Sequence, residues 1–301
     1  MDVAGFLPPG AGRRRLSETL EADSPLIGKS VSRRTILGEG PTLAEQNIAS
    51  LREFAIVPGI QDKLVELEGL AEAEEWNYKH TETTFERPIL YNYLQRNFAR
   101  LSEQGRIEES PDGEHVCLNT GLVTVHQEPI FMLFDRNLKY GQEDQPPWHF
   151  RHFCRRGEHQ LNYFEKLPEM ATYFEDPSCL VLDPRLELRV NVEHIIADNK
   201  ERFSSPYNER SDFELQMLLN GAIDNARERV RRNYKAAVPQ FYQGRVQLLL
   251  PLCLTAPENA DMAIVVERFE GFYRGSTCLT LDMAYNNARQ LARPDRDWLQ
   301  P

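Results

Sequence analysis

The sequence has no apolar run of about 18 residues, the length a membrane-crossing helix needs, so no membrane partner is expected. Its first stretch, MDVAGFLPPGAGRRRLSETLEAD, does not follow a basic start with an apolar segment, so no secretory signal is expected. Cysteine is sparse. Cys117, Cys154, Cys179, Cys253 and Cys278 are odd in number, with no CxxC and no zinc spacing. A disulfide framework is therefore not expected, and a reducing cytoplasm fits best. All five read as plain reduced thiols, with Cys154 in HFCRR the one whose basic neighbours would favour a thiolate. The standard catalytic signatures are missing too: no GxxxxGKS or GxxxxGKT, no GxGxxG after a strand, no GxSxG and no HExxH. P-loop, Rossmann, hydrolase and zincin readings lose their support. Positive charge is the minority, 35 Lys and Arg against 46 Asp and Glu, for a net charge of -11. That argues against a non-specific nucleic-acid coat, which rests on phosphate neutralisation. A local basic pocket for one nucleotide or a short RNA stays open.

What is present is enough for a sizeable core: 301 residues, 41% of them hydrophobic. Residues 1–41 are rich in Pro, Gly, Ser and Arg without a period and read as a flexible arm. Residues 42–87 read as a helical segment, with Thr42 a plausible cap and QDKLVELEGLAEAEEW helical through Trp76. From 88 to 301 the pattern mixes helices and strands. Pro88 opens a helix that Gly105 stops. RIEES, the turn PDG and EHVCLNTGLVTV follow as a hairpin, a helix-then-hairpin order that resembles part of a winged helix. EPIFMLF, CLVLDP, LELRV, RVQLLLPLCL, DMAIVVERF and STCLTLD read as strands. NVEHIIADNKERF, a long helix over 213–235 and MAYNNARQLA read as helices. RVQLLLPLCL is apolar on both alternating faces and should be central and covered twice. Short connections favour antiparallel hairpins. The expected class is α+β: a mainly antiparallel sheet with packed helices, after a helical N-terminal part.

Positive charge concentrates in DNARERVRRNYKAAVPQFY (224–242). On a helical wheel Leu215, Leu219, Ala222, Ala226 and Val230 make an apolar stripe. Arg227, Arg231 and Lys235 lie opposite it and read first as a solvated face. Arg229 and Asn233 fall on or beside the stripe. A buried Arg229 needs a partner: an internal acid such as Asp183, Glu267 or Asp282, or a phosphate or carboxylate held bidentately. Other polar residues stand at strand ends: Asn119 and Thr120 before Gly121, then Asp183, then Asp282. Asp282 reads first as the cap of the helix carrying Asn286, Asn287 and Arg289, a setting that also suits an anion. His194 and Asp198 share a helical face beside Asn199. They are ordinary hydrogen-bonding partners in the simpler reading, and a base with its orienter, or ligands for a hard metal, in the sharper one. HFRHFCRRGEH (149–159) reads as a basic surface loop.

LYNYL (90–94), LNTGL (118–122), HIIADNKERF (194–203), RVRRNYKAAVPQFY (229–242), VQLLLPLCL (246–254) and above all LTLDMAYNNARQLARPDRDWL (279–299) carry a resemblance. Together they resemble an uncharacterised bacterial domain family found beside OST-HTH (LOTUS) RNA-binding domains. The resemblance spans roughly 88–299, and no OST-HTH unit is found in this chain. It implies RNA or nucleotide metabolism through the company the family keeps.

The expected function is a nucleotide- or RNA-handling protein, and more sharply a metal-assisted phosphohydrolase. In that reading Asn119, Asn199, Arg229, Asn233, Lys235, Asn286, Asn287 and Arg289 hold the substrate. Asp198 or Asp282 holds Mg²⁺ or positions water, and His194, Asp198 and Asp282 supply the chemistry. The rivals are a non-catalytic RNA-binding module and a structural or adaptor homodimer.

Overall fold

The computed structural model describes residues 50–142, 145–294 and 298–299. The arm expected over 1–41 and the Thr42 cap lie outside them. Two five-stranded sheets carry the fold, most of their strand pairs antiparallel. The first sheet has the order β1-β5-β4-β3-β2, from β1 (Ala55–Ile56), β2 (Glu108–Glu109), β3 (His115–Val123), β4 (Pro129–Arg136) and β5 (Trp148–Arg155). The second has the order β6-β10-β9-β8-β7, from β6 (Glu187–Val190), β7 (Val238–Tyr242), β8 (Arg245–Leu252), β9 (Met262–Phe269) and β10 (Phe272–Thr280). Two edge strands pair in parallel with their neighbours, β1 with β5 and β6 with β10. The expected α+β class is the one found, and the hairpin after the first long helix is part of a full sheet, not an isolated wing.

Strand alternation gives each sheet two buried faces. Val116, Leu118, Ile130, Met132 and Phe134 of the first sheet and Leu249, Ala263 and Val265 of the second enter one large core. Between them lie the helices α3 (Pro88–Glu103) and α6 (Leu281–Ala288), through Leu90, Leu94, Ala284 and Tyr285 among others. The opposite face of the second sheet, with Leu248, Leu250, Ile264 and Val266, packs under α4 (Val192–Asn199) and α5 (Asp212–Arg232). The opposite face of the first sheet makes a small third core of Cys117, Phe131, Leu133 and Cys154 with Leu161 and Phe164. RVQLLLPLCL is therefore interior and covered twice, as its pattern predicts, with β9 at the centre.

Local chemistry sets the helix ends. Pro88 stands at the start of α3, and Gly105 follows it at φ +61°. Ser211 and Glu214 form a reciprocal capping box on α5. Short helices α1 (Leu51–Phe54) and α2 (Ile60–Leu70) precede them.

Several expected elements differ. The second helix ends at Leu70, not Trp76. Glu72 N–H donates to the Val123 carbonyl at 2.8 Å, and the Trp76 carbonyl accepts from Ile89 N–H at 3.2 Å, so tertiary pairing overrides the helical propensity of AEAEEW. The expected basic loop 149–159 is mostly strand β5. Trp148, Phe150 and Phe153 fill the large core while Arg151 and Arg155 stand outward. Cys154 is buried in the third core, and desolvation pushes its thiol up to about 12, opposite to the expected thiolate. CLVLDP is no strand: Pro177–Leu180 is a short 3-10 turn capped by Asp176. The long helix stops at Arg232, and VPQFY after it is the edge strand β7, which the basic run obscures.

Candidate functional site

The site grows from one edge of α3. Asn92, Arg96 and Arg100 recur every four residues, so they share a face beside the buried stripe. That face meets α6 and β7. Asn92 Nδ2 donates to the Tyr78 hydroxyl at 3.0 Å and to Asn286 Oδ1 at 3.3 Å. Arg96 Nη1 donates to Asn287 Oδ1 at 2.7 Å. Asn287 Nδ2 donates to Gln240 Oε1 at 3.3 Å, and Gln240 Nε2 to Gln247 Oε1 at 2.9 Å. Gln247 Nε2 ends the chain on Glu267 Oε2 at 3.3 Å. Three amides thus run head to tail from a guanidinium to a distant carboxylate, each oxygen turned toward the positive end.

No carboxylate touches Arg96 itself among the described residues. Burial lowers its pKa, and the phenols Tyr78, Tyr242 and Tyr173 are the groups that act back on its charge. The Tyr78 hydroxyl is itself raised, first by burial. A guanidinium keeps its charge under such a shift. The result is a half-buried cation beside amides and aromatic hydroxyls.

Across the same seam a second arginine is paired. Arg289, just past α6, donates through Nε to Glu74, and the two side chains are 9% and 5% exposed. Tyr285 hydroxyl donates to the same Glu74 oxygen at 3.1 Å. The Arg289 guanidinium also lies 4.7 Å from the Tyr93 ring centre and 5.0 Å from that of Trp76. Tyr93 in turn closes on Gly121, whose φ of +73° and missing Cβ leave room for the phenol. The close approach falls inside LNTGL.

Asp282 is not the cap of α6. Thr280 caps it, accepting from Met283 N–H at 3.3 Å. The Asp282 carboxylate, 1% exposed, instead accepts from the backbone of Lys79 at 3.1 Å and His80 at 2.9 Å. It holds the irregular 71–87 segment onto the α3–α6 seam.

The structure divides the sequence-predicted residues. Asn286, Asn287, Arg289 and Asp282 meet at this seam, and Asn119 is next to it: its carbonyl accepts from Asn97 Nδ2 at 3.1 Å. The others lie on the far face of the second sheet. His194 and Asp198 pair at 3.3 Å with side chains 61% and 59% exposed. Asn199 is an internal tie, accepting from Thr277 at 2.7 Å and donating to the Ile195 carbonyl at 2.9 Å. Asn233 accepts from Lys235 N–H at the helix end. Arg229 finds none of its expected acids. Asp183 pairs with Arg185, Glu267 with Arg245, and Asp282 is occupied as above, while Arg229 Nη1 meets Cys253 Sγ at 3.4 Å. Arg227 and Arg231 pair with Asp224 and Glu228 of their own helix, a solvated face. Asp198 and Asp282 therefore do not share a site, and no group of three metal-capable side chains occurs among the described residues.

Sequence reasoning missed Arg96, Asn92, Glu74 and Gln240. The signal for two of them was there: Asn92 lies inside LYNYL and Arg96 one turn on, at the spacing of one face.

A family model described as a domain of unknown function, DUF3825, matches residues 67–298. The chain belongs to the DUF3825 family. The matched span includes Glu74, Arg96, Asp282 and Arg289, so the whole seam is part of the DUF3825 domain. No curated protein and no solved structure matches the chain. No helix among the described residues is long and apolar enough to cross a membrane.

Proposed function

We propose that this chain is a nucleotide- or RNA-handling protein that holds a phosphate group against Arg96. The observation behind the reading is a half-buried guanidinium with no carboxylate against it among the described residues, set among amides and phenols. An unpaired cation in such a place is costly. A phosphate oxygen pair would supply both the missing charge and the acceptors for the guanidinium fork. Asn92 and Asn286 stand beside it to orient a ligand, and the half-buried Tyr78 and Tyr242 phenols border the same guanidinium. The resemblance of the α3, β8 and α6 motifs to domains found beside OST-HTH units supports the RNA side of the reading. The five free thiols support a reducing cytoplasm.

Mg²⁺-assisted hydrolysis is a second reading, favoured by the His194–Asp198 pair at 3.3 Å, with His194 as the base. It would need that pair to act apart from the α3–α6 seam.

A thermal-shift screen of nucleoside mono-, di- and triphosphates and short RNAs, with and without Mg²⁺, tests both. The binding reading expects stabilisation of the wild type that Arg96→Met abolishes. Free phosphate appearing in the same wells, and lost in Asp198→Asn, would establish the hydrolase. No stabilisation by any phosphorylated ligand would end the binding reading.

A further inference from the structure

Beside the Glu74–Arg289 pair the structure opens a cleft of about 280 Å³, between α3, the bulged end of β3 and the chain that follows α6. Its size is just under the ~300 Å³ at which pockets for small organic ligands begin. Its charges cancel within the wall. Glu74 is bound to Arg289, and Glu72 faces Arg293 at 3.8 Å. Among the described residues a charged ligand finds no unanswered partner there.

The rest of the lining is amide, phenol and short apolar side chain. The Gln290 amide stands against the Tyr173 phenol, and that hydroxyl reaches Asn97 Oδ1 at 3.4 Å. Ala71, Leu122 and Ala171 supply low apolar walls. At Gly121 a Cβ would strike the Tyr93 hydroxyl, so the bulge presents bare backbone. The Tyr173 ring is braced edge-on by Phe241, with centres 5.0 Å apart. Such a cleft suits a small, flat, uncharged ring that both donates and accepts hydrogen bonds. Arg100, one turn along α3 from Arg96, donates through Nε to the Thr172 carbonyl at 2.9 Å, so the segment that carries Tyr173 lies against the same face of α3 as Arg96.

We propose that the cleft takes a nucleobase, placing the base of a nucleotide there and its phosphate at Arg96. Joining the two into one ligand rests on the phosphate reading of Arg96. The base site stands on the cleft alone.

Ligand-observed NMR on the full chain would titrate adenosine, uridine, AMP, UMP and inorganic phosphate. The proteins are wild type, Arg96→Met and Ala292→Trp, whose exposed position on the rim lets an indole fill the cleft. Met170→Trp, at a rim residue 55% exposed, serves if the first filling variant does not melt like the wild type. The expected result is that either filling variant weakens nucleosides and nucleotides about tenfold or more, leaving inorganic phosphate unchanged, while Arg96→Met weakens nucleotides and phosphate but not nucleosides. Nucleotides that bind through Arg96 but are indifferent to both filling variants would overturn the base site and leave the phosphate site standing. Nucleosides displaced by filling, with no nucleotide or phosphate effect of Arg96→Met, would uphold the base site and overturn the phosphate site. No binding of nucleoside or nucleotide to the wild type would overturn both.

Discussion

The two faces of the second sheet carry arginines of opposite fate. On the outer face, α5 holds Arg227, Arg229, Arg231 and Arg232 within six residues. Arg227 and Arg231 are answered inside their own helix by Asp224 and Glu228, and Arg232 Nε donates to the Glu228 carbonyl. On the inner face, Arg96 and Arg289 stand far apart in sequence, and their partners come from other elements. The outer arrangement is a solvated helix with local ion pairs, which contribute little. The inner one is a buried network joining residues more than 180 positions apart, such as Arg96 with Asn287. Local charge density therefore marks solvent here, and the inner network is built from polar residues brought together from distant parts of the chain.

The sharpest way to break the contrast is Glu74→Gln. It leaves Arg289 buried without its counter-charge and should destabilise the fold by about 3–5 kcal/mol in chemical denaturation. A loss below ~1 kcal/mol would make the inner pair equivalent to the outer ones. Gly121→Ala comes next. It needs a strained positive φ and a shifted Tyr93, so the expected loss is more than about 1 kcal/mol. Arg229→Ala should cost about 1 kcal/mol or less, because its partner is a thiol and no carboxylate among the described residues is left behind. Smallest is Arg231→Ala, expected within ~0.5 kcal/mol because both side chains of its pair are half exposed. An Arg229→Ala loss near that of Glu74→Gln would revive the reading of Arg229 as half of a buried internal ion pair.

The elements that were legible in the sequence are those whose period is carried by their own residues. Pro88 to Gly105, the α5 stripe and RVQLLLPLCL needed no distant partner to be read. The ones that were not legible are set from elsewhere. AEAEEW leaves the helix because Val123 and Arg289 claim it, and WHFRHFCR hides a strand because its outward residues are charged. The same division runs through the site. Asn286, Asn287 and Arg289 stood out in a dense motif, whereas Arg96 looked like one arginine of an ordinary amphipathic helix. That no carboxylate among the described residues meets it is a property of three dimensions. Asp282 was visible as a polar residue at a strand end, but its partners, Lys79 and His80, lie over 200 residues upstream.

The most direct test of the central claim is a calorimetric titration of a nucleoside monophosphate into the wild type and into Arg96→Met. Denaturation of both proteins in the same buffer would accompany it. The account predicts binding to the wild type, weakened about tenfold or more in the variant, with unfolding curves that nearly coincide. Equal affinity in the two proteins would contradict it and return Arg96 to the scaffold.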